Sequence, residues 1–84
     1  MKNTNPVDEV LNHLEIHGSI TNRDCRKLFG LSTDHAILLL GGLCKVGLLT
    51  RKGISSGTHY VLSGKKVPFR NLNRFKEDFL KHTL

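Results

Sequence analysis

The residues whose types and spacing could do chemistry are mostly cationic or hydroxylic. Arg51, Lys52, Ser55, Ser56, Thr58 and His59 crowd around a glycine-rich turn, Gly53–Gly57. Arginine and lysine in such a place neutralise phosphates and release counterions, which makes affinity fall with salt. The plainer alternative is a solvated edge, because lysines on edge strands block aggregation. A second set, Arg23, Arg26 and Lys27, follows Thr21 and Asn22, whose backbone amides open a helix. Helix-opening amides and flanking cations can hold phosphate oxygens, and ordinary helix surface is the competing reading.

Other constellations lack what their chemistry requires. His13 and His17 are four residues apart, but the H-E-x-x-H zinc motif needs glutamate where Leu14 stands. They are read as surface or half-buried histidines, with no metal and no cofactor expected. Cys25 and Cys44 form no Cys-x-x-Cys pair and fall in expected helices. They read as small buried hydrophobes in a reducing compartment. The chain has no P-loop, nucleophile elbow or dinucleotide fingerprint, so no catalytic residue is assigned and no enzyme is expected.

The elements that must position these groups follow from periodicity. Residues 1–5 are polar and expected to be disordered. Pro6 suits a first helical turn, and Val7, Val10, Leu11 and Leu14 form a core-facing stripe that His17-Gly18 ends. Ser19-Ile20 is expected as a short extra strand. Thr21-Asn22-Arg23-Asp24 has the form of a capping box, and Cys25, Leu28 and Phe29 are the expected buried face of the second helix. Ser32 is a good N-cap for a third helix with Ala36, Leu39, Leu40 and Leu43 inward and Gly47 as its C-cap. Leu48–Arg51 and Thr58–Leu62 read as two strands of a hairpin. Beyond a polar break at 63–66, Pro68 precedes a fourth, amphipathic helix over 69–84, with Leu72, Phe75, Phe79 and Leu80 as its apolar stripe.

The totals narrow the class. Eighty-four residues allow one domain with a small core, and 38% hydrophobic content is enough to form it. Asp8, Glu9 and Glu15 interrupt the first twenty residues, and no apolar run is long enough to span a bilayer. A cytoplasmic location with no membrane partner is expected. The net charge is +6 and lopsided: residues 1–44 sum to −1 and residues 45–84 to +7. A basic half that contains the hairpin and the tail points to an anionic partner, nucleic acid first.

With the elements in order, residues 17–62, "HGSITNRDCRKLFGLSTDHAILLLGGLCKVGLLTRKGISSGTHYVL", carry a family likeness. G-x-I-T precedes the second helix, L-F-G-L-S makes the corner, L-x-x-L-x-x-x-G-L-L leaves the third helix, and G-T-x-Y-V-L forms the returning strand. The stretch resembles the winged helix-turn-helix domain at the C-terminus of RecG-like, helicase-related bacterial regulators, and small bacterial and phage DNA-binding modules. The resemblance implies an α+β winged helix-turn-helix over 6–66 with an added C-terminal amphipathic helix over 67–84. The order expected is helix, short strand, two helices, strand, wing, strand, helix. It implies that the third helix enters the major groove of duplex DNA while the wing reaches backbone or minor groove, in transcription regulation.

The third helix departs from that pattern. Its outward positions are Thr33, Asp34, His35, Ile37, Leu38, Gly41, Gly42 and Lys45, whereas base edges are read by Arg, Lys, Asn, Gln, Ser or Thr. Thr33, His35 and Lys45 suit DNA, together with Thr21, Asn22, Arg23 and the wing residues. Ile37 and Leu38 favour an apolar visitor: the chain's own C-terminal helix, a second copy or a larger partner. The alternative function is therefore a protein-interaction or dimerisation module using Ile37, Leu38, Leu72, Phe75 and Phe79. A third possibility is one domain of a larger regulator.

Overall fold

The computed structural model describes residues 5–83, and side chains from 5 to 81. It is an α+β structure of four α-helices and a two-stranded antiparallel sheet. The order is α1 (Pro6–His17), α2 (Asn22–Phe29), α3 (Thr33–Lys45), β1 (Leu49–Lys52), β2 (His59–Leu62) and α4 (Phe69–Thr83), with a 3-10 turn at Ser55–Gly57 between the strands.

The first three helices each begin where a side chain can satisfy free amides. Asn5 Oδ1 accepts from the Val7 N–H at 2.8 Å, ahead of Pro6. Asn5 is therefore an ordered cap, which corrects the expected boundary of a disordered 1–5 segment; residues 1–4 lie outside the described residues. The Thr21–Asp24 capping box closes in both directions: Thr21 Oγ1 accepts from Asp24 N–H at 3.1 Å, and Asp24 Oδ2 accepts from Thr21 N–H at 3.0 Å. Aspartate, although short, reaches. Ser32 Oγ accepts from His35 N–H at 3.2 Å at the start of α3.

The end of α3 differs in detail from expectation. Val46 is the cap residue, and Gly47 lies one position beyond it with φ +94. Gly47 N–H donates to Cys44 O at 3.1 Å and Leu48 N–H donates to Leu43 O at 3.0 Å. That pair of bonds requires the left-handed residue after the cap, a Schellman ending. It also draws Leu48 out of the strand, so β1 starts at Leu49. β2 starts at His59 because Thr58 is spent closing the 3-10 turn.

Three further expectations change. Ser19-Ile20 is not a strand: Ile20 makes one isolated bridge to Tyr60, with N···O distances of 2.8 and 2.9 Å. Left-handed Gly18 ends α1, and Thr21 already caps α2, so no room remains for a second pair. Leu28 is 52% exposed. At about 100° per residue, it sits about 60° to one side of Cys25 while Phe29 sits about 40° to the other, and the core lies on the Cys25–Phe29 side. The expected end of α4 at Leu84 lies outside the described residues.

The core is one cluster: Val7, Val10 and Leu14 of α1, Ile20, Cys25 of α2, Ala36, Leu39, Leu40 and Leu43 of α3, Leu49 of β1 and Phe79 of α4. No polar or charged residue among the described residues is buried. Every α-helix and strand except β2 contributes a buried residue; β2 packs half-buried Tyr60 against the cluster. α4 thus belongs to the same body as α1–β2. Lys76 Nζ also meets Asp8 Oδ1 at 2.8 Å, tying α4 to α1.

Candidate nucleic-acid interface

β1 runs out of the core in one step, since Leu49 is buried while Thr50, Arg51 and Lys52 are exposed. The register pairs Leu49 with Leu62, Thr50 with Val61, Arg51 with Tyr60 and Lys52 with His59. Successive side chains on a strand point to opposite faces. Arg51 therefore shares the face of Leu49, and Lys52 the face of Thr50. Sequence spacing grouped the two cations, but the pleat separates them: each face of the ribbon's tip carries one charge.

The turn holds its shape with its own groups. Thr58 Oγ1 donates to Ser55 O at 2.9 Å, and His59 Nδ1–H donates to Gly57 O at 2.9 Å. Gly53, at φ +80, lies where a Cβ would strike the Gly57 carbonyl, so only glycine fits. Ser55 takes φ +52, an uncommon value for a residue with a Cβ. These bonds occupy the Thr58 hydroxyl and one His59 nitrogen. Ser55, Ser56, Arg51 and Lys52 remain exposed, and together they can offer two cations and two hydroxyls to an anion.

A second cluster forms where α2 and α3 begin. Asn22 Nδ2 donates to Thr33 O at 3.4 Å, and Arg26 Nε donates to Asn22 Oδ1 at 2.9 Å. Asn22 is thereby a strut between helices rather than a free polar group. Thr21 is held by its capping box. His35 Nδ1 lies 3.1 Å from Ser32 Oγ. Arg23 and Thr33 are exposed beside these struts. Lys45 is separated from this cluster, because it stands at the far end of α3, about 18 Å from Thr33 at 1.5 Å per residue.

Charge sign is uniform along this part of the chain. Between Asp34 and Glu77 there is no acidic side chain, while Lys45, Arg51, Lys52, Lys65, Lys66, Arg70, Arg74 and Lys76 all fall there. Among the described residues no group of three His, Cys, Asp or Glu is placed to hold a metal. The His13 and His17 rings lie with centroids 4.4 Å apart, tilted 37° to each other, and His13 Nε2 lies 3.7 Å from Asp24 Oδ2.

The five residues singled out for apolar docking divide. Phe79 is 5% exposed and belongs to the chain's own core, with Leu72 and Phe75 packed half-buried against it. Ile37 and Leu38 stay 55% and 57% exposed. Beside them an open cleft of about 470 Å³ lies between α3 and α4, with Lys45 and Asp78 at its polar margin. Sequence reasoning saw the glycines and the aliphatics of α3 but not this cleft, which needs Phe75 of α4 to form one wall. The two thiols differ: burial, aided by the Asp24 charge, pushes Cys25 up to about 12. Burial also raises Cys44, against the opposing pull of Arg51.

No helix among the described residues is long and apolar enough to cross a membrane. The chain matches no known protein-family model, no curated protein and no solved structure.

Proposed function

We propose that the chain is a winged helix-turn-helix module that binds duplex DNA in transcription regulation, with the β1–β2 hairpin as its wing. The observation that carries this reading is the hairpin tip: Arg51 and Lys52 exposed on opposite faces of one ribbon, beside exposed Ser55 and Ser56. A ribbon with a cation on each face can lie along a groove and meet phosphates on both sides. Topology supports the reading, since α1, α2 and α3 precede the hairpin and the Asn22–Thr33 strut holds the α2–α3 corner. Base reading by α3 is not part of it: its outward middle is Ile37, Leu38 and Gly41, none of which can donate to a base edge. Binding is then mainly electrostatic and weakly dependent on sequence. A titration of labelled random duplex at two salt concentrations tests it. Saturable binding that weakens steeply with salt is expected, and absence of binding at low salt overturns it.

A second reading, a protein-docking module, is favoured by the exposed Ile37 and Leu38 beside the α3–α4 cleft. That cleft shares no residue with the wing, so the two readings concern separate surfaces.

A further inference from the structure

We infer that the outward face of α3 pairs with itself: two copies of the chain join through an antiparallel α3–α3 contact about a two-fold axis. This deepens the protein-docking reading and rests on it; the DNA reading stands apart.

At about 100° per residue, Asp34, Leu38, Gly41 and Lys45 fall in one stripe about 60° wide, with Ile37 and Gly42 on its flanks. The inward residues Ala36, Leu39, Leu40 and Leu43 occupy the opposite side, where they are fully buried. Along the stripe lies a bump, then a hollow. The bump is Ile37 and Leu38. The hollow is Gly41, where a Cβ would meet nothing within 4 Å; the place beside Gly42, on one flank, is already filled by the Phe75 ring. A bump next to a hollow on one surface is satisfied by a second copy turned through a two-fold axis, which makes a closed, isologous contact.

The register is specific. Leu38 faces Gly41 of the other copy, and Asp34 faces Lys45. Both pairings are centred on the same point of the helix, between Leu39 and Leu40, so one axis satisfies them. Asp34 and Lys45 are both exposed, and neither joins an ion pair among the described residues. Antiparallel pairing sets each carboxylate against the other copy's ammonium and aligns the helix dipoles in opposition. The surface thus carries its own complementary charges, placed for a second copy. A duplex offers no such match, because Asp34 would meet phosphate and the aliphatics would meet polar base edges.

Sedimentation equilibrium of the full chain without DNA, from micromolar to near-millimolar concentration, tests the pairing. The mass is expected to rise from 9.4 kDa toward twice that value. Leu38→Glu and, separately, Gly41→Gln are expected to stay at single-chain mass. Position 41 opens to free space within the chain, so Gly41→Gln keeps the fold, checked by circular dichroism. Asp34→Lys is expected to weaken association about tenfold, and adding Lys45→Asp to restore it. A single-chain mass at every concentration overturns the pairing and leaves the cleft to a partner of other chemistry. A dimer indifferent to both Leu38→Glu and Gly41→Gln overturns it also, and failure of the charge swap to restore association overturns the register. DNA affinity is read in a separate titration, so either proposal can fail alone.

Discussion

The edge of the Phe75 ring occupies the space that a Cβ on Gly42 would take, while the neighbouring Gly41 faces open space. Two adjacent glycines in the same helix therefore have different reasons to tolerate their cost of roughly 1 kcal/mol each relative to alanine. Gly42 lets α4 approach α3 closely. Gly41 opens the surface beside it.

Alanine substitutions at the two positions are expected to diverge. Gly41→Ala should stabilise the chain by up to about 1 kcal/mol, as the helix gains propensity with nothing displaced. Gly42→Ala should destabilise by about 1 kcal/mol, because overpacking against Phe75 exceeds that gain. In a Phe75→Ala background the conflict is gone, and Gly42→Ala should become stabilising. Urea unfolding of the four variants in a double-mutant cycle checks this; equal effects in both backgrounds would refute the contact.

Phe79 sits in the core while Leu80 beside it is partly exposed. Phe79→Ala should cost about 3 kcal/mol, since it leaves a cavity among α1, α3 and α4. Leu80→Ala should cost under about 1 kcal/mol. Thermal melts of both variants decide the matter, and a mild Phe79→Ala would mean that α4 is not part of the cooperative unit.

The wing predicts a salt dependence. If Arg51 and Lys52 each neutralise a phosphate, the double variant Arg51→Ala/Lys52→Ala should flatten the slope of log affinity against log salt by about 2, and each single variant by about 1. The two single variants should be similar, because the residues occupy opposite faces of one ribbon tip. Fluorescence anisotropy across a salt series measures it. An unchanged slope removes the wing from the interface.

Cys25 links stability to alkaline pH. Its thiol, ordinarily ionising near 9.0, is pushed up to about 12 by burial first and by the Asp24 charge second. The native state therefore holds this proton more tightly than the unfolded chain. The contribution is complete below pH 9 and is lost as pH rises toward 12. At about 1.4 kcal/mol per unit, stability should fall by roughly 2 kcal/mol by about pH 10.5, and Cys25→Ala should lose this part of the slope. Chemical denaturation at several pH values tests the sign.

Cys44, only half-buried, should react with a thiol reagent well before Cys25. Arg51 holds its thiol below where burial alone would place it. Arg51→Ala should therefore slow Cys44 alkylation at fixed pH. An unchanged rate would show that the guanidinium does not act on the sulfur.

What the sequence determined by itself is local and periodic. The caps at Thr21 and Ser32, the left-handed glycines 18, 30 and 47, the inward stripe of α3 and the existence of the hairpin all depend on residues within a few positions of one another. Hydrogen bonds to nearby amides and a repeat of about 3.6 residues are enough to write them. The tertiary structure decided whatever required a distant partner. Ile20 could not become a strand with a helix cap on each side. Leu28 turned outward because of where α1 and α3 lie. Phe79 entered the core, and Phe75 settled over Gly42, because the chain between β2 and α4 brings that helix back across α1 and α3. Periodicity names an apolar face but not what covers it: burial depends on which surfaces meet, and that is fixed only by how the elements pack.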